Sequence, residues 1–373
     1  MNQSERGTTV YRLADELKIP ERKIMDFSTP VNPMGVSNKV KAEIRKHLKY
    51  LNRYPDDDAI RLRNRLGQHH GIDPETILCG SGSTELIHLA LKAFSPRRAV
   101  IPAPTRGAYE QSCKMNGVSE IIRYGLKKEN NFEMDVREFI KTAEEALSRH
   151  QSSLITDYAS PSSGIVFLCN PNYPTGRLLK KQAVKYIADA ARRLECYLVV
   201  DEAYMDFSPE DSVIAEAAGN PCLIVLRSLS YYYALAGLRF GYGVFPARCI
   251  ERLKEFRVPR MVNSLAQKAA AAALKDKAYK KNSSAMIRQE KAFLEKSFRK
   301  LGLAFIPSDA NFYLVNTASA PEICRRLRSK GMLVGDCSDL QGLGNSCMRI
   351  AVKSHRENAL LIREMARILA AGE

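Results

Sequence analysis

The residues able to do chemistry in this chain gather where short apolar runs stop. Ile77-Leu-Cys79 gives way to Gly80-Ser-Gly-Ser-Thr84, and Gly164-Ile-Val-Phe-Leu168 gives way to a loop holding Pro171 and Pro174. Tyr197-Leu-Val-Val200 stops at Asp201, and Leu223-Ile-Val-Leu226 stops at Arg227. Apolar runs of this length without polar alternation read as strands buried on both faces. Polar groups at the carboxyl ends of such strands mark the crevice where a parallel α/β sheet places its ligand. The candidates are carboxylates, hydroxyls and guanidinia. Nine Cys occur, an odd number with no C-x-x-C pair, and several, such as Cys169 and Cys222, sit in apolar runs. They read as buried reduced thiols. No metal site and no disulfide framework is expected.

The elements that must position these groups alternate. Val40 to Leu51, Ile60 to His69, the segment from Thr84 through Phe94, and Lys180 to Leu194 read as helices, and Ala99-Val-Ile101 as a further strand. Strand–helix alternation predicts an α/β fold with a mostly parallel sheet between helices. After about residue 262 the texture changes. Ser264 to Leu301 is rich in Ala and Lys and reads as one or two long helices. Short strands follow near Phe305 and Phe312, then a helix over Pro321 to Ser329, strands near Leu333 and Met348-Arg-Ile350, and a closing helix from Ser354 to Ala371. The expected organisation is an N-terminal arm and part of the small domain over 1–45, a large domain over 46–265, and a small α/β domain over 266–373.

The 373 residues are 45% hydrophobic and 26% charged, enough for a sizeable core and unlike a disordered chain. No apolar run approaches the ~18 residues of a membrane span. The polar N-terminus lacks the apolar core of a signal peptide, so a cytoplasmic protein is expected. The net charge is +16, and residues 251–300 carry 14 Lys/Arg against 5 Asp/Glu. Without a nucleic-acid motif, that excess reads as a solvated helical face and not as a nucleic-acid surface.

Several segments, in order, resemble fold type I pyridoxal-phosphate enzymes, above all the L-threonine-O-phosphate decarboxylase branch, with histidinol-phosphate aminotransferases next. Asp26-Phe-Ser-Thr-Pro-Val-Asn-Pro-Met-Gly35 is similar to the branch's D-F-S-A-N-I-N-P-L-G opening, and Arg53-Tyr-Pro55 to its R-Y-P. Asn170-Pro-Asn-Tyr-Pro-Thr-Gly176 resembles N-P-N-N-P-T-G, and Asp201-Glu-Ala-Tyr204 resembles D-E-A-Y/F. Leu226-Arg-Ser-Leu-Ser-Tyr-Tyr-Tyr-Ala-Leu-Ala-Gly-Leu-Arg239 is similar to L-R-S-L-T-K-F-Y-A-I-P-G-L-R, and Met348-Arg-Ile-Ala-Val352 to the C-terminal substrate-arginine strand. The resemblance implies that Asp201 holds a pyridine nitrogen protonated, with Tyr204 nearby. It implies a phosphate cradle from Gly82, Ser83, Thr84, Ser228, Ser230 and Arg239. Tyr54 would reach in from the second subunit of a homodimer. Arg349 would hold a substrate anion, with Asn32 and Asn172 also on the substrate side.

The chain departs from that pattern within the same pocket. The family's Schiff-base lysine falls on Tyr231, and no lysine lies between Arg227 and Arg239. A phenol cannot form an imine. The asparagine that meets the ring hydroxyl falls on Tyr173, and the aromatic residue that stacks on the ring falls on Arg106. Pro30 replaces a polar residue, Arg6-Gly-Thr8 replaces histidine-glycine-glycine, and Gly335 stands where relatives carry arginine. The reading therefore expects pyridoxal phosphate to bind noncovalently at best. It places first a lysine-less enzyme with cofactor-independent chemistry on a phosphorylated or anionic small molecule, in which Tyr231 serves as acid or base. The alternatives are a pyridoxal-phosphate-dependent decarboxylase or aminotransferase, and a non-catalytic partner subunit.

Overall fold

The computed structural model describes residues 9–148 and 164–371; Arg6-Gly-Thr8 lies outside them. The unbroken apolar runs are strands. Among the described residues they are β1 (Met25–Phe27), β2 (Ile77–Gly80), β3 (Arg98–Ala103), β4 (Glu120–Gly125), β5 (Gly164–Cys169), β6 (Tyr197–Asp201), β7 (Leu223–Ser228), β8 (Gly241–Val244), β9 (Ala304–Phe305), β10 (Phe312–Asn316), β11 (Met332–Asp336) and β12 (Cys347–Ala351). One sheet has seven strands in the order β2-β8-β7-β6-β5-β3-β4. Neighbours from β7 to β4 pair in parallel, and β8 runs antiparallel to both β7 and β2. The other has five, β1-β11-β12-β10-β9, with β1 parallel to β11 and the remaining pairs antiparallel.

Parallel strands need crossovers, and here helices make them on both faces of the large sheet. Successive side chains then alternate between two cores. Val166, Leu168, Leu198, Val200, Leu223 and Val225 face one; Ile165, Phe167, Tyr197, Val199, Ile224 and Leu226 face the other. That parity decides where the polar residues at the strand ends point. Asp201 and Ser228 continue the second set. Arg227 continues the first, so it lies on the opposite face from Asp201. There it pairs with Glu202 at 2.8 Å and Asp206 at 2.9 Å.

From β3 the chain steps outward to β4, then returns to the other side of β3 as β5. This reversal opens the crevice of an α/β sheet. Arg106 follows β3 and Tyr173 follows β5, the two strands at the reversal, and Asp201 ends the next strand, β6.

The Ala/Lys-rich stretch is two helices, Ser264–Leu274 and Lys277–Lys300. Asp276 separates them, its carboxylate accepting from the Tyr279 amide at 3.2 Å. Ala266, Ala269, Ala270 and Ala273 pack in the core of the large sheet. Ile287, Leu294 and Phe298 pack against the five-stranded one. The closing helix, His355–Ala370, begins with a capping box between Ser354 and Glu357.

Next to Arg227, His70 Nε2 sits 2.7 Å from the Tyr242 hydroxyl. Burial, reinforced by Arg227, His69 and Lys280, pushes its pKa down to about 2. In the unfolded chain the same ring takes up a proton near pH 6.5. The unfolded state therefore binds more protons between those values, and stability rises with pH across that window. Acidifying from pH 6 to pH 4 is expected to cost the parent protein about 2 kcal/mol more than His70→Gln. Urea midpoints of the two proteins at both pH values check this; equal acid sensitivity would remove His70 as the cause.

Candidate active site

The cleft between the sheets has a volume of about 1400 Å³. Thr84, His88, Arg106, Tyr173, Tyr204, Tyr231 and Arg349 are among the residues that line it, and no lysine is among its described lining residues. Three groups of side chains build it.

The first is an anion cradle. The helix Ser83–Phe94 starts from Gly82, whose φ of 94° is a conformation glycine adopts at little cost. A methyl group there would lie 2.7 Å from Arg239 Nη2, so the missing side chain is what lets the guanidinium approach. Gly241 presses equally closely: a Cβ on it would lie 2.5 Å from the Ser83 nitrogen. Ser228 and Ser230 are buried nearby in sequence, the Ser230 amide donating to Ser228 Oγ at 3.2 Å. Free N–H groups at the first turn of a helix, with an arginine against them, suit a phosphate.

The second group is centred on Asp201, which is fully buried. Its Oδ2 accepts from Arg106 Nη1 at 2.9 Å and from the Tyr109 hydroxyl at 2.8 Å, and its Oδ1 accepts from the Ala203 amide at 3.1 Å. Burial opposes the charge on Arg106, but the oxygens of Tyr231, Asp201, Tyr109 and Tyr204 outweigh it and hold the guanidinium protonated well above its ordinary range. Beside the pair, the Tyr231 ring stacks on Tyr204 at 4.5 Å with 27° between the planes. Burial raises the Tyr204 pKa strongly, and Tyr231 adds to it, so this phenol stays protonated.

The third group surrounds Arg349. Its guanidinium lies 4.4 Å from the centre of the Tyr173 ring, and it donates to the Ser28 carbonyl. Gly335 is its partner in the β11–β12 register, and a Cβ at Gly335 would fall 3.0 Å from Arg349 Nη2. Glycine at 335 and tyrosine at 173 thus make one seat for this side chain.

The family model for aminotransferase class I and II matches residues 22–365. The chain belongs to that family. Among its members, the threonine-phosphate decarboxylase of Salmonella typhimurium is 31% identical over 370 residues, covering 98% of this chain and 97% of that protein. A histidinol-phosphate aminotransferase of Archaeoglobus fulgidus is 32% identical over 352 residues, 94% of each chain. The crystal structure of the L-threonine-O-3-phosphate decarboxylase from Porphyromonas gingivalis superposes with a TM-score of 0.78 at 26% identity, over 93% of this chain and all of that one (100%). The histidinol-phosphate aminotransferase from Clostridium acetobutylicum gives 0.83 at 24% identity, over 93% and 100%, a likeness of fold.

An aminotransferase-family site takes pyridoxal phosphate, and the residues at the two ends of this one answer differently. The phosphate end fits. The ring end does not: Asp201 Oδ2 already carries two donors, one of them a cation, and position 231, where the resemblance expects an amine, holds a phenol.

The sequence-based site set is gathered only in part. Tyr204, Tyr231, Arg106, Tyr173 and Arg349 line the cleft, and Asp201 lies buried behind them on Arg106. Gly82, Ser83 and Thr84 stand at one helix start with Arg239 against Gly82, and Ser228 and Ser230 are buried. Asn32 does not face a ligand: it is buried, and its amide donates to the Tyr232 carbonyl and to Ser283 Oγ, both at 2.8 Å. Asn172 is likewise enclosed, donating to the Pro104 carbonyl and Thr175 Oγ1 and accepting from Thr105 Oγ1. Both asparagines tie loops together, because a buried amide must satisfy its donors within the fold. Tyr54, expected to serve the cleft of a second subunit and not its own, is 80% exposed under the Arg260 guanidinium, away from the described lining of this cleft.

Two residues went unassigned in the sequence. Tyr109 follows Arg106 by three positions, which returns it to the same end of the helix Gly107–Met115. His88 follows Thr84 by four and shares its helix face. Its Nδ1 accepts from Asn116 Nδ2 at 2.9 Å, so Nε2 carries the proton toward Ser112 Oγ at 3.1 Å. That polarity makes His88 a donor to Ser112 and not a base for it.

Proposed function

We propose that this protein is a lyase- or transferase-type enzyme of phosphorylated amino compounds, the substrate class named by its threonine-phosphate decarboxylase and histidinol-phosphate aminotransferase relatives. The observation that carries the reading is that Thr84, at the anion cradle, and Arg349, in its seat on Tyr173, line the same cleft. A phosphate at one end and a carboxylate or second anion at the other would engage both.

The relatives favour pyridoxal-phosphate-dependent chemistry over the cofactor-independent chemistry placed first from the sequence; the residues around Asp201 favour the latter. Recognition of the substrate is common to both. Arg239 and the first-turn N–H groups would bind the phosphate, Arg349 would orient the far end, and the Tyr231–Tyr204 stack would exclude water between them.

Calorimetric titration with O-phospho-L-threonine, histidinol phosphate and inorganic phosphate tests the reading. The phosphorylated amino compounds are expected to bind, and Arg239→Ala to weaken them by roughly 10- to 100-fold, the worth of a charged hydrogen bond. Failure of all three to bind, or indifference to Arg239→Ala, would overturn it. Absorbance with added pyridoxal phosphate separates the two chemistries: a protein-bound band in the parent protein supports the cofactor-dependent one.

A further inference from the structure

We propose that Arg106, more than the lack of a lysine at 231, sets how poorly this site accepts pyridoxal phosphate: its guanidinium occupies, on Asp201, the position a protonated pyridine nitrogen needs. The inference concerns the ring end of the site and does not depend on the substrate class proposed above.

A fully buried carboxylate requires a cationic partner. In the resemblance, the cofactor ring supplies it. Here the chain supplies it, at 2.9 Å and on the same oxygen that takes the Tyr109 hydroxyl at 2.8 Å. Arg106 is held in that place from both sides. The preceding residue, Thr105, is fastened to Asn172 at 2.9 Å, and the Arg106 carbonyl accepts from the Tyr109 amide at 3.3 Å as the next helix begins. The Tyr231 and Tyr204 rings stack beside it. The pocket is therefore charge-complete with no ring in it. A pyridinium must break the Arg106–Asp201 pair and leave two cations competing for one carboxylate. A phosphate in the cradle makes no such demand. Restoring lysine at 231 would add a third cation without removing the first.

Absorbance titrations with pyridoxal phosphate on the parent protein, Tyr231→Lys, Arg106→Phe and the double variant test this, with cofactor retained after dialysis as a second readout. The parent and Tyr231→Lys are expected to retain little. The double variant is expected to bind roughly 100-fold more tightly than Tyr231→Lys, because a competing buried cation has gone. Equal retention by Tyr231→Lys and the double variant would overturn the proposal, as would tight stoichiometric binding by the parent protein. Should Arg106→Phe fail to fold, Arg106→Gln keeps a hydrogen-bond donor for Asp201 without the charge. Paired with Tyr231→Lys it is expected to gain affinity, and no gain would count equally against the idea. Inorganic phosphate binding, followed by calorimetry across the set, is expected to survive. Its absence from the parent protein would defeat the phosphate reading while leaving the comparison at Arg106 intact.

Discussion

Arg106→Ala is expected to cost about 3 kcal/mol of stability, the low end for stranding one member of a buried ion pair, since the guanidinium keeps an edge on the cleft. The side chain of Asp201 is 1% exposed and that of Arg106 15%. Removing the guanidinium leaves a carboxylate with the Tyr109 hydroxyl and one amide, and no positive charge in contact. Alanine also leaves a cavity that opens to the cleft, so water will recover part of the loss. The double variant Arg106→Ala/Asp201→Asn separates charge from packing. A neutral amide can accept from the Ala203 N–H through its oxygen and donate its NH2 to the Tyr109 hydroxyl, and it has no charge to strand, so it is expected to recover more than half of the deficit. Urea midpoints of the four proteins form the cycle. If the two losses simply add, the pair is not coupled, and the assignment of Asp201's counter-charge to Arg106 fails. The same experiment bears on the cofactor. A site whose carboxylate is already neutralised by the chain has its stability built in, whereas one awaiting a ring does not.

How far this site could be read from residues alone follows from the kinds of force involved. The β5, β6 and β7 strands were legible because burial on both faces removes polar residues from them. β1, β4 and β8 were not. β4 reads Glu-Ile-Ile-Arg-Tyr-Gly and lies at the sheet edge, where charged residues are tolerated. β8 contains two glycines, which lower strand propensity and are there because neighbouring chain lies too close for side chains. Asp201 and Arg106 were legible as members of one pocket through the motifs that carry the resemblance, not through the strands alone. That Arg227 turns away from them was not, although the strand's two-residue period contains it. Asn32 and Asn172 show the limit of reasoning by residue type. An asparagine in a ligand motif and one that fastens two loops have the same side chain; only its partners distinguish them. The seat of Arg349 was half visible: the changes at 173 and 335 could each be seen, but not that one side chain touches both.

The two glycines of the anion cradle are close in space yet should respond differently to alanine, which makes them the sharpest probe of it. At Gly241 the added methyl would meet backbone on every side: the Ser83 nitrogen at 2.5 Å, the Gly82 carbonyl carbon at 2.7 Å and the Arg227 carbonyl oxygen at 3.0 Å. None of these can rotate away. The strand must lift from the helix start, moving the first-turn N–H groups proposed to take the phosphate. Gly241→Ala is expected to cost about 3 kcal/mol, the upper range for overpacking, and to abolish phosphate binding. At Gly82 the methyl would meet the movable end of Arg239 at 2.7 Å. The steric part is then relieved by one side-chain rotation, and what remains is the strain of alanine at φ 94°, about 1–3 kcal/mol. Phosphate affinity should fall here because Arg239 is displaced. It follows that Gly82→Ala should weaken phosphate binding much less in an Arg239→Ala background than in the parent protein, whereas Gly241→Ala should remain as damaging in either. Calorimetry with inorganic phosphate on the singles and the two doubles decides this. An equal effect of Gly82→Ala in both backgrounds would mean that the glycine serves the helix start and not the arginine.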